Sequence, residues 1–161
     1  MSESNAARLL FRAASVSAVS GGVLLCALAG ITVISVISRA LLSLPIPGDF
    51  EIVGMGTAIA AFLCLPYCQL QRGQVRADLL LDRASPRVAG ILDAIGGLLC
   101  AAIAAVFAWR MVPGLGDAWR DGDVTVILGL PLWWAYPFAI CAFALLAACC
   151  LYTASQDIRG R

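Results

Sequence analysis

The sequence predicts an all-α integral membrane protein of four transmembrane helices with both termini in the cytoplasm. Three observations carry this. The 161 residues are 61% hydrophobic and 13% charged, against roughly 45–50% and about 25% for an average soluble domain. With a mean hydropathy of +0.92, the excess is gathered into four runs of the length needed to cross about 30 Å of hydrocarbon, roughly 20 residues each. The third observation is the arginine distribution between those runs. One side would hold Arg8, Arg12, Arg72, Arg76, Arg83, Arg87, Arg159 and Arg161, the other Arg39, Arg110 and Arg120. Basic residues in short loops stay cytoplasmic, so the imbalance favours N-in and C-in.

The first span runs from about Val16 to Ser38. Arg8 and Arg12 before it resemble the charged start of a signal peptide. The apolar run is longer than the 7–15 residues or so of a cleaved leader, so it is expected to remain as a span. Arg39 and the Pro45-Ile46-Pro47-Gly48 turn end it, because two prolines forbid helix continuation. Asp49 is placed to N-cap the second helix and Glu51 falls in its first turn, near the positive end of the helix dipole. That span covers about 50–70. Leu79 to Arg83 offers one short interfacial helix between spans two and three. Ser85-Pro86 marks the start of span three, about 86–111, with Pro113-Gly114 expected to stop it. A polar loop containing Asp117, Arg120, Asp121 and Asp123 should follow, and span four covers about 131–152. The whole chain, 1–161, is expected to form one membrane domain. Trp109, Trp133, Trp134 and Tyr136 would form an aromatic belt at the outer ends of spans three and four.

Several functions are excluded by what these residues can do chemically. Nucleic-acid binding lacks a continuous basic stretch. The seven cysteines lie inside apolar runs without a C-x-x-C pair, so they are expected to pack as small apolar residues and not to do redox work. With no histidine in the chain, bis-His haem anchoring and most zinc sites fall away. The Asp117–Asp123 stretch lacks the ligand order and closing glutamate of a calcium loop. No catalytic residue, metal site or cofactor is expected.

What remains are packing faces and a few polar side chains. Small residues at four-residue spacing, Gly97-Ala101-Ala105, Gly56-Ala60 and Ala144-Ala148, allow close helix approach in lipid. Asp93, inside span three, is either part of a structural ion pair with Arg87 or a neighbouring arginine, the favoured reading, or a contact for another subunit or ion path. Glu51 is similarly divided between capping and contact. Pro66 and Pro137 are expected to kink their helices. No span carries the convergent polar groups that a pump needs, nor the polar stripe that lines a channel.

In order and spacing, three stretches resemble the small membrane subunit of tripartite ATP-independent periplasmic (TRAP) transporters. They are Pro47-Gly48-Asp49-Phe50-Glu51-Ile52 at the start of span two, Gln71-Arg72-Gly73-Gln74-Val75-Arg76-Ala77-Asp78 after it, and Gly129-Leu130-Pro131-Leu132-Trp133-Trp134-Ala135-Tyr136-Pro137 leading into span four. Gln74 stands where the family often has histidine, and Glu51 stands alone where many members have a pair. The resemblance implies a bacterial inner-membrane subunit of a sodium-coupled transporter for organic acids. It would brace a large membrane subunit holding the sodium and substrate sites, fed by a periplasmic substrate-binding protein. With Asp93, singled out by its place inside span three, the stretches that carry the resemblance give Glu51, Arg72, Asp78, Pro131 and Trp133 as the candidates for structural or partner-interface roles. The alternatives are a small self-assembling channel or exporter, or the membrane anchor of a redox enzyme.

Overall fold

Along the first helix the buried positions are Ala14, Gly21, Leu28 and Ser35, each seven residues after the last. A strict seven-residue seam is the signature of a helix wound around an antiparallel or parallel neighbour with a slight left-handed supercoil. In the computed structural model that neighbour is the second helix, which meets the seam from the opposite direction. The structure describes the backbone of residues 2–42, 47–71 and 86–158, with side chains from 7–41, 47–71 and 92–156. Its helices are α1 (Ser2–Leu42), α2 (Asp49–Leu70), α3 (Pro86–Asp121) and α4 (Ala135–Ile158), with a 3-10 turn, Leu132–Trp134, leading into α4. All four contain stretches long and apolar enough to cross a membrane. The expected interfacial helix around 79–83 lies outside the described residues.

The α1–α2 seam is tight because its residues are small. A Cβ on Gly21 would come within 2.9 Å of the Ala60 carbonyl oxygen, and one on Gly56 would meet Leu28 at 2.8 Å. One turn beyond Gly21, Ser17 donates to the Leu63 carbonyl at 2.7 Å. Helix pairs in lipid gain little from apolar burial, so close backbone approach and such hydrogen bonds hold them together.

The second pair, α3 with α4, follows the same logic. Ala94, Ala101, Ala104 and Ala118 of α3 are buried, and with half-buried Gly97, Ala108, Met111 and Leu115 they form a continuous stripe at alternating three- and four-residue spacing. Facing it are Ala139, Ala142, Leu146, Cys149, Cys150 and Ala154 of α4. Gly97 lies against Ala154. The expected α3 seam holds at Gly97 and Ala101 and fails at Ala105, which points outward while Ala104 is buried; on α4 Ala144 also points outward and Ala148 is only half-buried. All seven cysteines are unpaired, and Cys149 and Cys150 are fully buried packing residues.

The two pairs join mainly through α2 and α4. Phe143 of α4 touches Phe62 of α2, ring centroids 5.2 Å apart, and stacks on Phe107 of α3 at 5.4 Å. Such aromatic pairs are worth about 0.5–1.5 kcal/mol beyond their buried area. Gln69 donates to Thr153 at 3.1 Å near the far end of the same interface. Contact between α1 and α4 is slight, and α1 and α3 share no extensive contact. The spatial order is therefore α1, α2, α4, α3, an open arrangement with α1 and α3 at its edges.

Two prolines act differently from expectation. Pro113 does not stop α3, which continues to Asp121. The proline removes one backbone bond, to the Trp109 carbonyl, a loss that membrane helices tolerate. Gly114 beside it makes room for the Tyr136 ring, 3.1 Å from where a Cβ would stand. The helix instead ends at Gly122, whose φ of 67° lets Asp123 donate back to the Ala118 carbonyl at 3.3 Å, a glycine-dependent C-terminal cap. Asp117, Arg120 and Asp121 are thus helical, not part of a loop. Pro137 falls in the first turn of α4, where a backbone donor has no partner to lose; it is placed to start the helix, not to kink it. Pro66 is buried inside α2.

These contacts fix relative depth. Trp119 stacks on Trp133, centroids 5.0 Å apart, so Trp119 is the α3 residue at the level of the 3-10 turn. Trp109, 73% exposed, lies ten residues earlier, about 15 Å deeper at 1.5 Å per residue. It does not belong to the same belt. At the other end Asp93 lies two turns from the start of α3, as expected. It is one turn before Gly97, whose neighbour Ala154 adjoins Thr153 and so marks the last turn of α2. That start of α3 therefore projects past α2, and Asp93 stands near the level at which α2 ends.

Candidate functional site

Polar groups gather at the end of the molecule where α1 gives way to α2. Gly48, with φ 81°, is the N-cap of α2 and makes no side-chain capping bond; its carbonyl accepts the Glu51 and Ile52 amides at 3.1 and 3.2 Å. Asp49 is therefore the first residue of the helix and not its cap. Its carboxylate turns back to α1, accepting a hydrogen bond from Ser35, which is 1% exposed. It also lies 3.6 Å from the Arg39 guanidinium and accepts the Phe50 amide at 2.7 Å. The three side chains tie the outgoing end of α1 to the start of α2.

Glu51 does not close a capping box. Its two oxygens accept the amides of Ile127 and Leu128, at 2.7 and 2.9 Å, across 76 and 77 residues of sequence. A carboxylate on adjacent backbone donors makes charge-assisted bonds, stronger than neutral ones. Leu128 itself lies over Gly48, where a Cβ would collide with its side chain. Glycine at 48 thus meets two demands at once, the positive φ and the contact with Leu128.

The loop that Glu51 grips is ordered from within. Val124 and Pro131 form an antiparallel bridge. Thr125 donates its amide to the Leu130 carbonyl at 2.9 Å, accepts the Gly129 amide on its own carbonyl at 3.2 Å, and takes the Leu130 amide on its hydroxyl at 3.0 Å. Gly129, φ 65°, provides the reversal. At the base Trp133 stacks on Trp119 and meets Trp134 edge-on at 6.2 Å. The tip is apolar and open: Val126 is 97% exposed, with Ile127 and Val124 also exposed.

Of the six candidate residues, the structure brings Glu51, Pro131 and Trp133 into this one assembly. Asp93 is far from it, toward the opposite end of α3, half-buried and held in an interaction of its own. Arg72 and Asp78 lie outside the described residues. The sequence reading missed Ser35, Thr125, Leu128 and Trp119. Only Trp119 carried a signal, as an aromatic among the acidic residues near the end of α3. Among the described residues no three histidine, cysteine or acidic side chains come together as metal ligands.

A chain of four membrane-length helices, joined by small-residue seams and a carboxylate latch, is a multi-pass membrane protein. It belongs to the family described as "Tripartite ATP-independent periplasmic transporters, DctQ component", whose family model matches residues 28–160. It is the small component of such a transporter and not an enzyme. The comparisons found no matching curated protein and no matching solved structure.

Proposed function

We propose that this subunit braces the large membrane subunit of a sodium-coupled transporter for organic acids, with both termini cytoplasmic, and takes no direct part in moving the substrate. The observation that supports this is where its polar groups are engaged. Ser17, Ser35, Gln69 and Thr153 bond helix to helix, and Glu51 bonds helix to loop. Side chains committed in this way hold a scaffold together; an ion or substrate site needs polar groups that converge on a cavity near mid-membrane. The spans also bury little of themselves, between 11% and 33% of their most apolar stretches, which leaves broad faces for lipid and a partner. Sodium and substrate would bind in the large subunit, supplied by a periplasmic substrate-binding protein.

Co-purification tests the bracing role. Glu51→Gln or Asp93→Asn is expected to lower recovery of the complex with the large subunit severalfold while substrate preference stays unchanged. Full recovery with altered preference, or transport by this chain alone in liposomes, would overturn the reading. Orientation is tested separately: a reporter fused after Arg161 should report a cytoplasmic location, and periplasmic activity there would reverse the topology.

A further inference from the structure

The slight contact between α1 and α4 leaves an opening with an uneven lining. Toward the N-terminus of α1 it is a cleft of about 610 Å3 lined by Arg8, Arg12, Phe11, Tyr152, Thr153 and Gln156 among others. Arg12 also borders a second cleft, of about 520 Å3, that continues along α1 and α4 past Val16, Leu63, Ala142 and Leu145. One arginine thus joins a partly polar compartment to an almost wholly apolar one.

Arg8 and Arg12 are four residues apart, on the same face of α1. Among the described residues neither guanidinium has a hydrogen-bond or ion-pair partner, and none of those that line the two clefts is acidic. Across from them the Tyr152 hydroxyl accepts the Gln156 amide at 3.2 Å, which leaves the phenolic proton for another acceptor. Two arginines without an acidic partner among the described residues, and a hydroxyl donor, at the mouth of an apolar groove match a phosphate group attached to a hydrocarbon chain.

We propose that this opening is a binding site for one anionic phospholipid, its phosphate held by Arg8, Arg12 and Tyr152 and one acyl chain lying between α1 and α4 along Val16 and Leu145. The lipid would fill the gap that these two helices leave over Leu63 and Leu70 of α2. The arginine charge fixes the preference for an anionic headgroup over a zwitterionic one. The inference requires only that the chain lies in a membrane; it stands or falls separately from the bracing role and from the orientation of the termini.

The test is native mass spectrometry of the full-length chain in detergent, offered phosphatidylglycerol, phosphatidylcholine of the same chains, or inorganic phosphate. The chain is expected to retain phosphatidylglycerol over phosphatidylcholine by roughly tenfold or more. R8Q/R12Q should erase that preference with unchanged helical circular dichroism, and R8K/R12K, which keeps the charge, should restore it. Val16→Trp, which fills the apolar compartment, should lower retention of phosphatidylglycerol. Equal retention of the two lipids, an unaltered preference in R8Q/R12Q, or displacement of phosphatidylglycerol by equimolar inorganic phosphate would each overturn the proposal. Loss of a co-purifying protein from R8Q/R12Q with lipid retention intact would overturn it too, because the occupant would then be a polypeptide.

Discussion

Gly21→Leu is expected to separate α1 from α2 and to destabilise the fold by about 2–4 kcal/mol, from overpacking of about 1–3 kcal/mol and an interhelical hydrogen bond of about 0.6 kcal/mol. The geometry leaves no easy accommodation. The first carbon added to Gly21 would meet the Ala60 carbonyl at 2.9 Å, the Cys64 sulfur at 3.0 Å and the Leu63 Cβ at 3.2 Å. Backbone and Cβ atoms cannot swing aside, so α1 itself must move outward. Ser17, one turn away on the same helix, would then lose its bond to the Leu63 carbonyl. The neighbouring glycine provides the control: a Cβ on Gly22 meets nothing within 4 Å. Thermal denaturation in detergent should show a clear loss for Gly21→Leu and almost none for Gly22→Leu. Equal losses would mean that helix propensity and lipid exposure, not the seam, govern this part of α1.

That seam shows what the sequence makes legible and what it hides. Four spans were visible because a run of about 20 apolar residues has few other uses, and the turn at Pro47-Gly48 because proline and glycine restrict the backbone directly. Which face of α1 packs was not visible. Its span is apolar all round, so the contrast that marks an amphipathic helix is missing, and only one of Ala14, Gly21, Leu28 and Ser35 is a glycine. Span three was misjudged at Pro113 for a related reason: a proline's cost in water overstates its cost in a helix whose neighbours compensate. The latch was half-legible. Glu51 stood out as a carboxylate at a helix start, where capping was the local explanation, but its true partners, Ile127 and Leu128, are backbone amides. Backbone donors leave no trace in residue identity, so a long-range bond to them cannot be found by pattern.

Gly48→Ala should open the latch more completely than any change at Glu51. An L-residue at φ 81° costs about 1–2 kcal/mol in backbone strain, and the new methyl group would also push Leu128 off the start of α2. Displacing Leu128 moves its amide away from Glu51 along with it. Glu51→Gln acts on the same contact but keeps the shape, so it removes the charge and leaves Leu128 seated over Gly48. Hydrogen exchange at the Ile127 and Leu128 amides reads both changes. Glu51→Gln is expected to speed exchange modestly, and Gly48→Ala by roughly tenfold or more, as expected for loss of about 1–2 kcal/mol of local stability. The double variant should exchange no faster than Gly48→Ala alone, because residues serving one contact are not additive. Additive rates would mean that Glu51 and Gly48 hold the loop independently. The consequence reaches past the loop itself. The latch ties the turn between α3 and α4 to the start of α2, while Gln69 and Thr153 tie α2 to α4 near the other end. Freeing one end alone should therefore let the two helix pairs splay at that end while they stay joined at the other.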